Sequence, residues 1–206
     1  MSFRIRLVSG IIMAVALFVS VSGLQAGLAE PTKKDPLRFR AQLRTQGSSP
    51  TAQGVMQIAI ERWTTDSERK SLLDLVGLSN TKDGQKTLLR TLERVKPRTG
   101  YIRLPNSPGW DLRYAYKFSQ PDGSIQIVLA TDKPMTSAAI HNSAYSTEFP
   151  YTFVEMHMQP AGDKGEGRML AQAGITSKEG RIQLTNYGNE PLALTDITTE
   201  QQKKKD

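Results

Sequence analysis

Cysteine is absent from the chain. That excludes disulfides, thiolate metal sites, a cysteine nucleophile and the cysteine-borne lipid of a lipoprotein. Histidine is nearly absent, with only His141 and His157. A metal site built mainly of imidazole needs more than one nearby, and no HExxH spacing occurs. No metal ligand set, cofactor or catalytic residue is therefore expected. No Asn-x-Ser/Thr sequon is present either. Apolar runs long enough to approach a bilayer span are missing beyond the first thirty residues.

The N-terminus holds the one long apolar run. "MSFRIR" is a basic start, "LVSGIIMAVALFVSVSG" is apolar, and small residues follow in "LQAGLAEP". This layout predicts a secretory signal peptide over residues 1–29, cleaved after Ala29 or after Ala26. Arg4 and Arg6 are not adjacent, so no twin-arginine signal is visible. The mature chain is then expected to be periplasmic or secreted, with no membrane span after cleavage. Of the 206 residues, roughly 175 are left, enough for an ordinary core without disulfide staples.

The chain carries 27 basic and 20 acidic residues. Removing Arg4 and Arg6 with the leader leaves 25 against 20, a net +5. The charge is spread along the chain, which reads as a solvated surface. An exported chain of this kind is not expected to meet nucleic acid.

Two periods divide the remainder. "LRFRAQLRT" and "VMQIAIERW" alternate apolar and polar residues and flank a Gly/Ser/Pro loop, predicting a β-hairpin. The period then becomes helical. Thr65 precedes Glu68 by three, a capping box. Helices are expected near 66–76 and 83–94, with Leu72, Leu75, Leu88 and Leu92 buried, and Pro97 just beyond. They form an insertion at about 65–96. Alternation returns in "YIRL", "WDLRYAYKF", "SIQIVLATD", "YTFVEMHMQ", "RMLAQAGIT", "RIQLTNY" and "LALTDIT". The total is about nine strands with mostly short connections, a pattern of antiparallel pairing. The fold class is thus mainly β with a two-helix insertion (α+β), an antiparallel meander forming a barrel or a sandwich. The domain is expected to span 30–198, with a disordered basic tail at 199–206 ending in "KKKD".

Aromatic residues make up only 7% of the chain, so their concentration in Trp110, Tyr114, Tyr116 and Phe118 stands out. With Leu112 they occupy alternate positions, which predicts one sheet face and, by default, core. A buried tyrosine hydroxyl needs a partner. Trp110, Tyr114 and Tyr116 are accordingly the candidate ligand-binding residues, with Leu112 and Tyr114 at the core end and Trp110 and Tyr116 at a rim.

Three other stretches invite chemistry. Glu155 and His157 lie two apart in a strand, where a carboxylate could orient a base; a surface pair explains them better, since no nucleophile-elbow serine accompanies them. His141 lies in the long irregular "KPMTSAAIHNSAYSTEFP", which reads as a surface loop. "GDKGEG" lacks a P-loop ending and reads as a hairpin turn.

The segments "IERWTTDSERKSLL", "GQKTLLRTLERV", "GYIRLPNSPGWDLRYAYKF", "IVLATDKPM" and "GEGRM" resemble a group of uncharacterised exported bacterial proteins, over roughly residues 54 to 190. The resemblance implies export and assigns no activity, cofactor or residue role. The expected function is a non-catalytic exported binding or structural/interaction module of the cell envelope. Its partner is either an envelope protein or a small apolar ligand. The alternative is a lipocalin-like carrier of a small apolar ligand, and a hydrolase built on Glu155, His157 or the long loop ranks last.

Overall fold

A computed structural model describes residues 36–44, 54–135, 149–161, 163–178, 181–186 and 191–200. The segment expected to be a signal peptide, His141 and most of the long loop lie outside the described residues, as do positions 201–206.

Nine strands and two helices follow the expected order. They are β1 (Leu37–Arg44), β2 (Val55–Ile60), α1 (Asp66–Gly77), α2 (Lys82–Glu93), β3 (Gly100–Arg103), β4 (Trp110–Ser119), β5 (Ile125–Thr131), β6 (Tyr151–Met158), β7 (Lys164–Lys178), β8 (Arg181–Asn186) and β9 (Leu192–Glu200). All pairings are antiparallel. Strands β1 to β6 form a meander, β6 pairs with β7, β7 with β9, and β9 returns to β1. Eight strands therefore close on themselves, and the architecture is a barrel, not a sandwich. Closure removes the free edges that an open sheet of this size exposes.

β8 stands outside the ring. The long β7 pairs with β9 through Lys164–Met169 and with β8 through Ala173–Lys178. The outer half of β7 and β8 thus form a hairpin that continues past the barrel. The expected glycine-rich turn is shorter than the sequence suggests, because Lys164–Gly167 already belong to β7. Gly167 is required there by close approach: a Cβ on it would sit 2.2 Å from the Glu155 carbonyl oxygen of β6. Thr199 and Glu200 belong to β9 rather than to the tail expected from 199, and Glu200 pairs with Arg40 at 2.8 Å.

The alternating residues sort into two clusters. Phe39, Ala41, Leu43, Met56, Ile58, Ile60, Ile102, Leu112, Ile127, Leu129, Val154, Met156, Met158, Met169, Leu194 and Ile197 fill the barrel interior. Met135, following β5, joins them fully buried; its N–H donates to Ala171 O at 2.9 Å and to Thr152 Oγ1 at 2.8 Å. The second cluster lies on the outside of the wall. There Leu72, Val76, Leu88 and Leu92 of the helices cover Tyr151 of β6 and Ile175 of β7, with Tyr114 and Phe153 packed alongside. Neither helix can bury its apolar stripe alone, and the barrel wall supplies the missing surface.

The helix pair is pinned at both ends. Thr65 and Glu68 make the two reciprocal bonds of a capping box. Arg62 donates to both Glu68 carboxylate oxygens, at 2.9 and 3.0 Å, and to the Pro97 carbonyl beyond α2. At the far tip, Asn80 Oδ1 accepts from Ser177 N at 3.0 Å, which caps an open backbone donor of β7.

Candidate functional site

The aromatic stripe does not form one face. Leu112 pairs with Thr131 of β5 and Tyr114 with Ala130, so β4 advances two residues while β5 advances one. Arg113 is the extra residue of a β-bulge. A one-residue slip sends every following side chain to the opposite face. Trp110 and Leu112 accordingly pack with the barrel interior, whereas Tyr114 packs with the helical cluster outside. Trp110 and Tyr114 lie on opposite sides of the barrel wall, a correction to the expected single face.

The bulge has a partner that sets it. Arg113 Nε donates to the buried Asp132 carboxylate at 3.1 Å, and its Nη1 reaches the Val95 carbonyl just after α2. Asp111 adds a contact to Arg113 at 3.4 Å and binds Arg98 at 2.8 Å. The extra residue thus ties β4, β5 and the exit of the helix pair together.

Outside the barrel, the aromatic residues meet α1. Tyr116 OH donates to Asp66 Oδ1 at 2.9 Å, and this bond together with slight burial raises the hydroxyl above its ordinary value. The Arg69 guanidinium lies 4.9 Å from the Tyr116 ring centroid and 5.5 Å from that of Phe118, a cation–π arrangement. Tyr114 stacks 6.3 Å from Tyr116; burial pushes its hydroxyl up, with Arg69 opposing. Tyr114 and Tyr116 therefore serve the docking of the helix pair.

Glu155 and His157 share the outer face of β6, with Glu155 Oε1 3.2 Å from His157 Nε2. Arg168 Nε donates to Glu155 Oε2 at 2.6 Å, and the Gln126 amide donates to Oε1. Burial works to raise the Glu155 carboxyl, but the bonds from Arg168 and Gln126 outweigh it and hold it below the usual range. Such a carboxylate is a stable ion-pair member, and the His157 side chain is 56% exposed. Among the described residues, no group of three or more His, Asp or Glu is placed to hold a metal, and no helix is long and apolar enough to cross a membrane.

Two hollows open on the helical side. One, of about 380 Å³, lies at the turn between the helices and is lined by Leu75, Leu78, Asn80, Gly84 and Thr87 among others. The other is a groove of about 200 Å³ between α2 and the barrel wall. Its lining comprises Lys82, Gln85, Lys86, Leu89, Pro150, Tyr151 and Ile175. Tyr151 is only 3% exposed, and its buried hydroxyl has no hydrogen-bond partner among the described residues. An unsatisfied buried hydroxyl costs about 1–3 kcal/mol. Burial, with a smaller contribution from Glu93, raises this hydroxyl well above the ordinary phenol value, so it stays protonated and is a donor.

Sequence reasoning missed this groove. Lys82 and Lys86 are one helical turn apart, a visible spacing, but their neighbours come from strands sixty or more positions away. Comparisons with protein-family models, curated proteins and solved structures return no match.

Proposed function

We propose that the protein is a non-catalytic, exported binding or interaction module of the cell envelope that works through the outer surface of its barrel. The observation that carries this reading is the filling of the interior. Leu43, Met56, Ile102, Leu112, Leu129, Met156, Met169 and Leu194 are all 0% exposed and occupy the space where an open barrel would hold a ligand. The hollows lie outside, beside the helix pair. The pairing of Glu155 with Arg168, Gln126 and His157 supports a non-catalytic role for that cluster.

Export rests on the N-terminal leader pattern. The lipocalin-like carrier remains the rival, favoured by barrel closure itself. Native mass spectrometry of protein purified from its own envelope tests the reading. A co-purified protein, or a small molecule lost when the outer groove is altered, is the expected result. Interior-bound apolar ligand would favour the carrier, and a bare monomer in every preparation would overturn the binding reading.

A further inference from the structure

We infer that the groove between α2 and the barrel wall binds a small amphipathic monoanion, a short aliphatic chain ending in a carboxylate. This rests on the reading that the protein acts by binding at its outer surface, and it names the ligand class.

The charged side chains that line the groove have one sign, with the Glu93 carboxylate of α2 acting on the Tyr151 hydroxyl from beyond the lining. Lys82 and Lys86 are the charged side chains in its lining. Both are exposed, and neither has a carboxylate partner among the described residues. Lys82 lies in the first turn of α2, capped by Thr81, where the helix dipole favours an anion and Asp83 already stands, and Lys86 follows one turn on. Ammonium–carboxylate hydrogen bonds are the stronger, charge-assisted kind.

The body of the groove is apolar. Leu89 and the buried Tyr151 and Ile175 form it, with Gln85 beside the lysines. A single charged end and a hydrocarbon remainder match that division. Size narrows the class: about 200 Å³ falls below the roughly 300–1,000 Å³ of sites for drug-sized ligands. A two-chain lipid does not fit, whereas a short aliphatic acid does.

The second, independent observation is the Tyr151 hydroxyl. It belongs to the side chain that lines the groove, and it is a buried, protonated donor lacking an acceptor among the described residues. Native structures rarely leave such a group unmatched, and a bound ligand or an accompanying water is the usual completion. A water carried in with the ligand can accept from the hydroxyl and donate onward to the carboxylate.

Isothermal titration of the mature chain with octanoate tests the inference, with 1-octanol and acetate as the tail-only and head-only controls. Octanoate should bind at about 1 mM or tighter, on the scale of so small a ligand. Each control should bind at least about tenfold more weakly. Lys82→Gln/Lys86→Gln changes two exposed side chains and should keep the fold, yet weaken octanoate by about tenfold or more. A circular-dichroism melt verifies that the variant is folded. No octanoate binding, equal binding of 1-octanol, or an unaffected double variant would each overturn the inference. So would binding to anionic phospholipid vesicles that octanoate does not compete. Failure here removes this ligand class alone, while the binding-module reading stands or falls on what co-purifies from the envelope.

Discussion

Thr64 and Ala115 exchange two hydrogen bonds. Thr64 N donates to Ala115 O at 2.8 Å, and Ala115 N donates to Thr64 Oγ1 at 3.0 Å. β3 pairs with β4 only as far as Leu112, so Thr64 completes the β4 edge just past the bulge. The side chain acts here as a piece of ladder. Thr64→Val keeps the shape and removes the acceptor, leaving the Ala115 N–H buried and unpaired. We expect a loss of about 1–3 kcal/mol in urea unfolding. A change within about 0.5 kcal/mol would mean that water satisfies the donor.

The helix pair should be an integral part of the fold. Leu88 is 4% exposed in the cluster beneath the helices, whereas Leu78, at the end of α1, is 61% exposed. Leu88→Ala is expected to cost on the order of 2–5 kcal/mol. Leu78→Ala should stay within about 0.5 kcal/mol. Equal small effects at both positions, measured by denaturant midpoints, would show that the helices are loosely held.

The Tyr151 hydroxyl makes an unusual forecast. Tyr151→Phe removes a buried polar group with no partner among the described residues, while keeping the ring against Phe153, 5.9 Å away between centroids. The free protein should become more stable, by an amount on the order of 1 kcal/mol. A loss of stability by thermal melting would reveal a partner that the hydroxyl needs.

Glu68 and Glu155 contribute to the acid limit. In Glu68 the hydrogen bond from Arg62 lowers the carboxyl below its ordinary value of 4.5 against some burial. In Glu155 burial opposes, but Arg168 and Gln126 prevail, again below 4.5. A group whose folded value is depressed adds stability that is full above the unfolded value and lost as pH falls through the folded one. Stability should therefore fall as the pH drops below the ordinary carboxylate value of 4.5, and Glu68→Gln or Glu155→Gln should flatten that fall. An acid limb of unchanged slope in both variants would contradict the assignment.

Local signals were legible in the sequence. The Thr65–Glu68 box lies three residues apart, and both of its bonds form. Pro121-Asp122-Gly123 is a turn signal, and it joins β4 and β5, with Gly123 at φ 82°. Barrel closure was not legible, because it rests on β9 pairing with β1 some 150 positions away. Nor was the parity of the aromatic stripe. Period two survives in the sequence, but Arg113 bonds to Asp132, nineteen positions on, and the bulge turns the second half of the strand outward. Trp110, Tyr114 and Tyr116 are a single pattern in sequence and two faces in space. The groove joins α2 to β6 and β7, so neither helical nor strand periodicity could outline it.

The central claim is that the protein binds outside a filled barrel, and amide chemical-shift mapping of the isotope-labelled chain from Glu30 onward tests it most directly. On addition of octanoate, the account predicts shifts concentrated at Lys82, Gln85, Lys86, Leu89, Tyr151 and Ile175. Interior positions such as Met56, Leu112, Met156 and Leu194 should stay still. Shifts centred on those interior residues would contradict it, and would place the ligand inside the barrel.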